Sequence, residues 1–417
     1  MFGDSRFKTG LAICGIAVVA VVFAYHVSQH PMDFRVYHYG ARGVFDGTRP
    51  VYGPTSGIGW PMHYRYPPLF LLLFAPFAML PLGLAAAVWL LAKIGILVCL
   101  LHAIQKRVPK RTFSSSTRYA YLISAVFMAP YVVEEFRYGN AQFFVLALTV
   151  GGLLFLRERP AAAAASLGFA ISLKVWPMFF IPYLAVRREW KPVAHTLAFV
   201  VFLSLLPSLY FGLSGNFDLL KQWYAQESQT QLGKSEIWFP NQSLRGVLMR
   251  YLTVIDYSHV PDSNYAPVNI AAMDPARVRL LWVILAGAIY AGFLLLADRR
   301  RKSNGWLDLG LAFCLLALLE PFTQKYALVI LLWPAIAVAG SMNNRPVRIL
   351  MYCATVLVLI QPLVPGATAQ RLLQVVGFDF GAALLLTVAI GAAAVETVGL
   401  ASGPDGRESV AHGISRG

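Results

Sequence analysis

Long apolar runs recur along this chain from residue 11 to residue 399, and nothing else in the sequence limits its fold so severely. A run such as "LAAAVWLLAKIGILVCLLHAI" (84–104) is long enough, as a helix, to cross about 30 Å of hydrocarbon. The 417 residues are 58% hydrophobic and only 13% charged, more apolar surface than one soluble core can bury. The expected fold class is therefore an all-α integral membrane protein, a single polytopic domain over residues 1–417. The first run, "LAICGIAVVAVVFAY" (11–25), lacks the small-residue cleavage site of a signal peptide and reads as a retained helix.

The formal charge of +15 sits in short loops between apolar runs, which argues against nucleic acid and for membrane orientation. "QKRVPKR" (105–111), "RERP" (157–160), "RREWK" (187–191), "DRRRK" (298–302) and "NNRPVR" (343–348) are cytoplasmic by the positive-inside rule. The N-terminal "SRFK" and the tail 400–417 then lie inside too, which requires an even number of spans. About twelve are expected, at 11–27, 82–104, 118–133, 141–157, 160–174, 176–187, 192–212, 279–297, 306–319, 325–341, 346–363 and 376–399. The pair around Lys174 reads as a hairpin of short helices broken at Pro177.

Two long segments, about 28–68 and 213–278, remain as extracytoplasmic loops carrying short interfacial helices and many aromatic residues. Cys14, Cys99, Cys314 and Cys353 all lie inside apolar runs, as small packing residues and not as a disulfide framework or zinc site.

This topology gathers a set of polar residues at the outer face, as if lining a cavity. They include Asp33, Arg65, Tyr66, Glu134, Glu135, Arg137, Asn140, Lys174, Asn241, Gln242, Arg245, Glu320, Gln324 and Lys325. Lys174 stands out because charge within an apolar stretch costs roughly 2.5–3.5 kcal/mol on insertion scales. Its partner is either a phosphate or one of the acids Glu134 and Glu135. Lys93, mid-span beside Trp89, is expected to pair inside the bundle. His38, His63 and His259 read as solvated loop histidines, and Asp46, Gly47 and Pro50 as a turn.

"MDFRVYHYGARGVFDGTRPVY" followed by "YRYPPLFLLLFAPFAMLP" resembles the opening of glycosyltransferase family 87, multi-spanning GT-C enzymes that take sugar from a polyprenyl-phosphate donor. The resemblance continues through "RYGNAQFFVLAL", "GFAISLKVWPMFFIPYL" and "NQSLRGVLMRYL", to about Tyr251. The family's acid after the first helix matches Asp33, and its aromatic-proline motif matches Tyr66, Pro67 and Pro68. Two segments depart from the pattern. Gly139, Asn140, Ala141 and Gln142 stand where the family has Gly-Gln-x-Asn, so the two amides are exchanged. "EPFTQKY" replaces a Ser-Trp-x-His-like segment, which makes Lys325 the substitute for its histidine.

The resemblance implies a GT-C fold and inverting transfer of a sugar, expected to be mannose, with arabinofuranose the other donor sugar found in the family. Transfer to a hydroxyl needs a base, a cationic clamp for the departing phosphate and a pocket that excludes water. Asp33 is the expected base, and Lys174, Arg245, Lys325 and Arg137 the expected phosphate contacts. Tyr37, Arg65, Tyr66, Glu134, Asn140, Gln142, Trp238, Asn241, Gln242, Glu320 and Gln324 are the expected substrate contacts. No cofactor or metal is expected, since no cluster of His, Cys or carboxylates at ligand spacing is present. The expected partners are the bilayer, a polyprenyl-phosphate sugar donor and a lipid or glycan acceptor. A monomer in the inner (plasma) membrane is expected, with its site outside the cytoplasm. The competing reading is a transporter or flippase of a polyprenyl-linked saccharide.

Overall fold

A computed structural model of the chain describes residues 18, 21–29, 31–47, 50–53, 63–107, 115–230, 234–254, 267–301 and 305–402. Every regular element among them is helical. Of the expected first span, 11–27, residues 18 and 21–27 are described, as helix, and the rest lie outside the described residues, as do His259 and most of the C-terminal tail.

The chain divides into two compact units. The first comprises residues 1–107, 132–181 and 189–230, and the second 108–131, 182–188 and 231–417. Four helices are long and apolar enough to cross a membrane: Leu82–Gln105, Pro275–Arg299, Arg345–Leu363 and Phe378–Val395. A fifth arises if the bent pair Trp190–Leu205 and Ser208–Ser228 is one span. The remaining expected spans correspond to apolar helices of 10–17 residues or to the helix Ser115–Tyr138.

In the first unit, α1 (Met32–Phe45) packs on α2 (Pro68–Ala78) and on α3 (Leu82–Gln105). Helix α4 (Ser115–Tyr138) begins in the second unit and ends in the first, where α5 (Gln142–Leu154) and α6 (Pro160–Leu173) follow. The sequence of α6, "PAAAAASLGFAISL", explains its central place. Small residues let backbones approach closely where no water drives the packing. A Cβ on Gly152 of α5 would lie 2.6 Å from Leu167, and one on Gly168 2.6 Å from Phe199 of α8 (Trp190–Leu205). Between α6 and α8 come a 3₁₀ turn at Trp176–Phe179 and α7 (Phe180–Val186), so the expected break around Pro177 is present.

Helix α9 (Ser208–Thr230) fills the start of the segment 213–278, where only short interfacial helices are expected. Gly212, at φ 72° and ψ 163°, turns the chain, and the pair α8–α9 bends by 96°. The stretch "DLLKQWYAQESQT" that follows holds no Gly or Pro and continues as helix, its polarity having hidden a helix-competent composition. The reading of His38 is corrected. It is buried, and its Nε2 bonds the Leu80 carbonyl at 2.8 Å, because its place on α1 faces the chain's own packing.

In the second unit, a single helical turn (Lys234–Ile237) and α10 (Leu244–Leu252) precede α11 (Pro275–Arg299) and α12 (Trp306–Leu319). A 3₁₀ segment, Lys325–Leu331, leads into α13 (Leu332–Ala339), then α14 (Arg345–Leu363), α15 (Ala367–Val376) and α16 (Phe378–Ser402). Helix α16 turns Ala382, Leu386, Ala389, Ile390 and Ala393 inward, all fully buried, and packs on α12 and α14. Helix α11 does the opposite. Leu280, Val283, Ile284 and Leu295 are exposed along it, as suits a face turned to lipid.

Candidate active site

Asp33 lies in the first turn of α1, where the helix dipole favours a negative charge. It is 4% exposed, and burial holds its carboxyl above the ordinary value of 3.8 against the opposing pull of Asn140 and Lys174. Its Oδ2 accepts a 2.6 Å hydrogen bond from Asn140 Nδ2. Its Oδ1 has no hydrogen-bond partner among the described residues. A buried carboxylate with one oxygen unsatisfied is costly as a structural element and suited to accepting a proton.

The Asn140 amide is held by its other end. Its Oδ1 accepts from the backbone N–H of Gln142 at 2.8 Å and from the Tyr66 hydroxyl at 3.2 Å, which leaves Nδ2 directed at Asp33. Gly139 makes this turn possible. Its φ of +69° is a glycine conformation, and a Cβ there would come within 2.8 Å of Phe34 Cβ, beside Asp33.

Tyr66 receives a 3.0 Å hydrogen bond from Tyr37 and stacks on Phe70. Burial pushes the Tyr66 phenol well up, so it stays a neutral donor. Lys174 follows the last residue of α6 with an extended backbone. Its Nζ donates to Gln142 Oε1 at 2.7 Å, lies 3.5 Å from Asn140 Oδ1, and sits over the Tyr66 ring. The exchanged amides thus meet one cation through their carbonyl ends.

Six of the expected site residues therefore converge: Asp33, Tyr37, Tyr66, Asn140, Gln142 and Lys174. Three others in the same unit are engaged in ion pairs. Arg65 meets Glu227 of α9 at 2.9 Å, and Arg137 meets Glu134 one turn earlier on α4 at 2.8 Å. The second acid weighed as a partner for Lys174 is engaged elsewhere too. Glu135 is bonded to Lys93 at 3.0 Å with both side chains fully buried, so Lys93 pairs inside the bundle as its position led one to expect. Behind Ala141 and Leu173 lies an apolar cavity of about 430 Å³, also walled by Phe70, Phe74, Trp89 and Phe144.

The second unit holds the remaining candidates, with different surroundings. Arg245 donates to Glu236, which also accepts from Arg279 at 3.0 Å, so Arg245 is committed to an ion pair. Burial and the Arg279 charge lower its guanidinium to about 10. Asn241 accepts from the Ser243 hydroxyl at 2.8 Å and from Thr323 N at 3.2 Å, and donates to Pro321 O. Gln242 donates to the carbonyls of Phe239 and Gln374, both at 2.8 Å. These amides, expected to contact substrate, close loops in the structure, each surrounded by backbone groups that need partners. Trp238 stacks on Phe322, Glu320 caps the end of α12, and Gln324 precedes the 3₁₀ segment. Lys325 donates to Gln361 at 3.1 Å, and Gln361 in turn to Asp379 at 2.8 Å.

The sequence reading gave no role to Trp89, Glu236, Arg279, Gln361 or Asp379. For Gln361 and Asp379 a signal existed. Each interrupts an apolar run, in "VLVLIQPL" and "GFDFGAALLL", as Lys174 does.

A polyprenol-phosphate-mannose-dependent alpha-(1-2)-phosphatidylinositol mannoside mannosyltransferase of Mycolicibacterium smegmatis is 29% identical over 236 residues, 52% of this chain and 52% of its own. The protein of the same description from Mycobacterium tuberculosis is 29% identical over 195 residues, 43% of this chain and 45% of its own. The chain spans about half the length of the curated relatives it matches. The model of glycosyltransferase family 87 matches residues 64–321. Asp33 precedes that match and Lys325 follows it, while Tyr66, Asn140, Gln142 and Lys174 fall within it. Since the match covers more than half of the chain, the chain belongs to glycosyltransferase family 87.

Proposed function

We propose that this chain transfers mannose from a polyprenyl-phosphate donor to a hydroxyl of a lipid-borne glycan or glycolipid, outside the cytoplasm, with Asp33 as general base. The observation that carries this is the buried Asp33 carboxylate, one oxygen held by Asn140 and the other without a partner among the described residues. The acceptor hydroxyl attacks the anomeric carbon as its proton passes to Asp33 Oδ1. The bond from that carbon to the phosphate oxygen breaks, the electron pair leaves with polyprenyl phosphate, and the configuration inverts. Lys174 supplies positive charge for the departing phosphate. The apolar cavity behind Ala141 and Leu173 suits the first isoprene units of the donor.

The family and the curated relatives support a lipid-linked mannose donor, and the relatives' phosphatidylinositol mannoside acceptor makes a glycolipid the acceptor to try first. Among the described residues no group of three His, Cys, Asp or Glu side chains is placed to hold a metal ion. We therefore expect turnover to survive a chelator.

The test uses full-length protein in detergent with a synthetic polyprenyl-phosphate mannose and a phosphatidylinositol mannoside. Release of polyprenyl phosphate together with an elongated acceptor is the expected result. A protein that releases none with mannose or arabinofuranose donors, yet moves the lipid-linked sugar across vesicles, is a transporter and overturns the proposal. An alanine at position 33 that transfers at the normal rate overturns the assignment of the base.

A further inference from the structure

The turn that presents Asn140 is gripped from behind by α3. Trp89 and Lys93 stand one helical turn apart on the same face of that helix. Trp89 Nε1 donates to the Gly139 carbonyl at 3.0 Å. Lys93 Nζ donates to both carboxylate oxygens of Glu135 at 3.0 Å and to the Glu135 carbonyl at 3.3 Å. Glu135 Oε1 then accepts from the backbone N–H of Phe143, in the first turn of α5. Two side chains of α3 thus bind the end of α4, the Gly139 carbonyl and, through Glu135, the start of α5.

We propose that Trp89, Lys93 and Glu135 are positioning residues, a buried clamp that fixes the turn 139–142 and through it the Asn140 amide against the Asp33 carboxylate. The inference rests on Asp33 being the base. Its physical ground is that the Asn140 side chain has no freedom of its own. Its Oδ1 is tied to Gln142 N, so a shift of the turn's backbone is a shift of Nδ2, and the 2.6 Å bond to Asp33 lengthens with it. A sealed ion pair is a poor source of stability, because desolvation offsets the attraction, and an apolar pair of similar volume serves as well or better. What an apolar pair cannot do is hold the Glu135 carbonyl and the Phe143 N–H at fixed points. Gly139 completes the fit by letting the turn lie against Phe34.

The test is the double variant Lys93→Met/Glu135→Gln in the full-length protein, with the synthetic mannose donor above. The introduced glutamine keeps an acceptor for Phe143, and the introduced methionine fills the volume of the lysine without its hydrogen bonds. The expected result is a Tm within about 3 °C of the parent, donor KM within about threefold and kcat lowered by about tenfold. In an Asn140→Ala background the same double variant should lower kcat by less than about twofold, because the group it positions is gone. Trp89→Phe keeps the ring, removes only the bond to Gly139, and should lower kcat by about threefold with the same dependence on Asn140. It carries the test if the double variant does not fold. Parent-level kcat in the double variant overturns the clamp, and so does a loss that multiplies with that of Asn140→Ala. Failure of the base reading is separate, since it shows as parent-level turnover in Asp33→Asn itself.

Discussion

Each of the two units buries more than one carboxylate, and Glu236 of the second and Asp33 of the first are treated differently. Glu236 in the second unit takes hydrogen bonds from two guanidinium groups, those of Arg245 and Arg279. Asp33 in the first unit takes one from a neutral amide and keeps an oxygen without a partner among the described residues. The first arrangement satisfies the charge and consumes its reactivity. The second leaves basicity in place, at a cost to the fold. Charge at a buried position is therefore no guide to function until its partners are known.

The largest effect that tests the contrast is on turnover. Asp33→Asn keeps an acceptor for Asn140 Nδ2 and should lower kcat by about 10²-fold or more, measured as polyprenyl phosphate released, with no loss of Tm. A parallel fall in Tm would make Asp33 another structural acid. Glu236→Gln should do the reverse. Breaking one side of a buried ion pair costs about 3 kcal/mol, read as a lower Tm or denaturant midpoint, while kcat per folded molecule stays within about threefold. Lys174→Met should raise the donor KM by about tenfold and leave Tm within about 3 °C. An unchanged KM with a lower Tm would mean that Lys174 serves only Gln142 and Asn140.

The smallest effect concerns pH. Burial raises the Asp33 carboxyl above its ordinary 3.8, so the folded state prefers the neutral acid. The stability this gives is fully present below the unfolded value and is lost as pH rises through the folded one. Asparagine cannot titrate. The Tm of Asp33→Asn should therefore gain on that of the parent as pH rises from about 4 toward neutrality. A constant gap across that range would deny the raised carboxyl. The acid limb of kcat should be displaced upward from an ordinary aspartate by the same burial.

The helical character and the longest spans were legible because apolar runs above 18 residues have few other uses, and α3, α11, α14 and α16 follow them closely. Helix α9 was not legible as helix, since its polar run carries no apolar period to announce it. In the site, Asp33, Asn140 and Lys174 stood out as polar groups beside apolar stretches, and the structure brings them to one place. Asn241 and Gln242 stood out equally but close loops, because an amide in a sequence does not show which backbone carbonyls will face it. The clamp of Lys93 and Glu135 was half visible: Lys93 could be expected to pair inside the bundle, whereas its partner Glu135, and that acid's grip on Phe143, depend on where α4 ends and α5 begins.

Gln226 of α9 bears on how Tyr66 is held. Its Oε1 accepts from Gly53 N at 3.0 Å and its Nε2 donates to the Tyr64 carbonyl at 2.7 Å. One side chain thus holds both Gly53 and Tyr64, while Trp223 anchors the Arg65 carbonyl beside them. With the Tyr64 and Arg65 carbonyls both tied to α9, the backbone leading into Tyr66 is moored on one side while its hydroxyl is moored to Asn140 on the other.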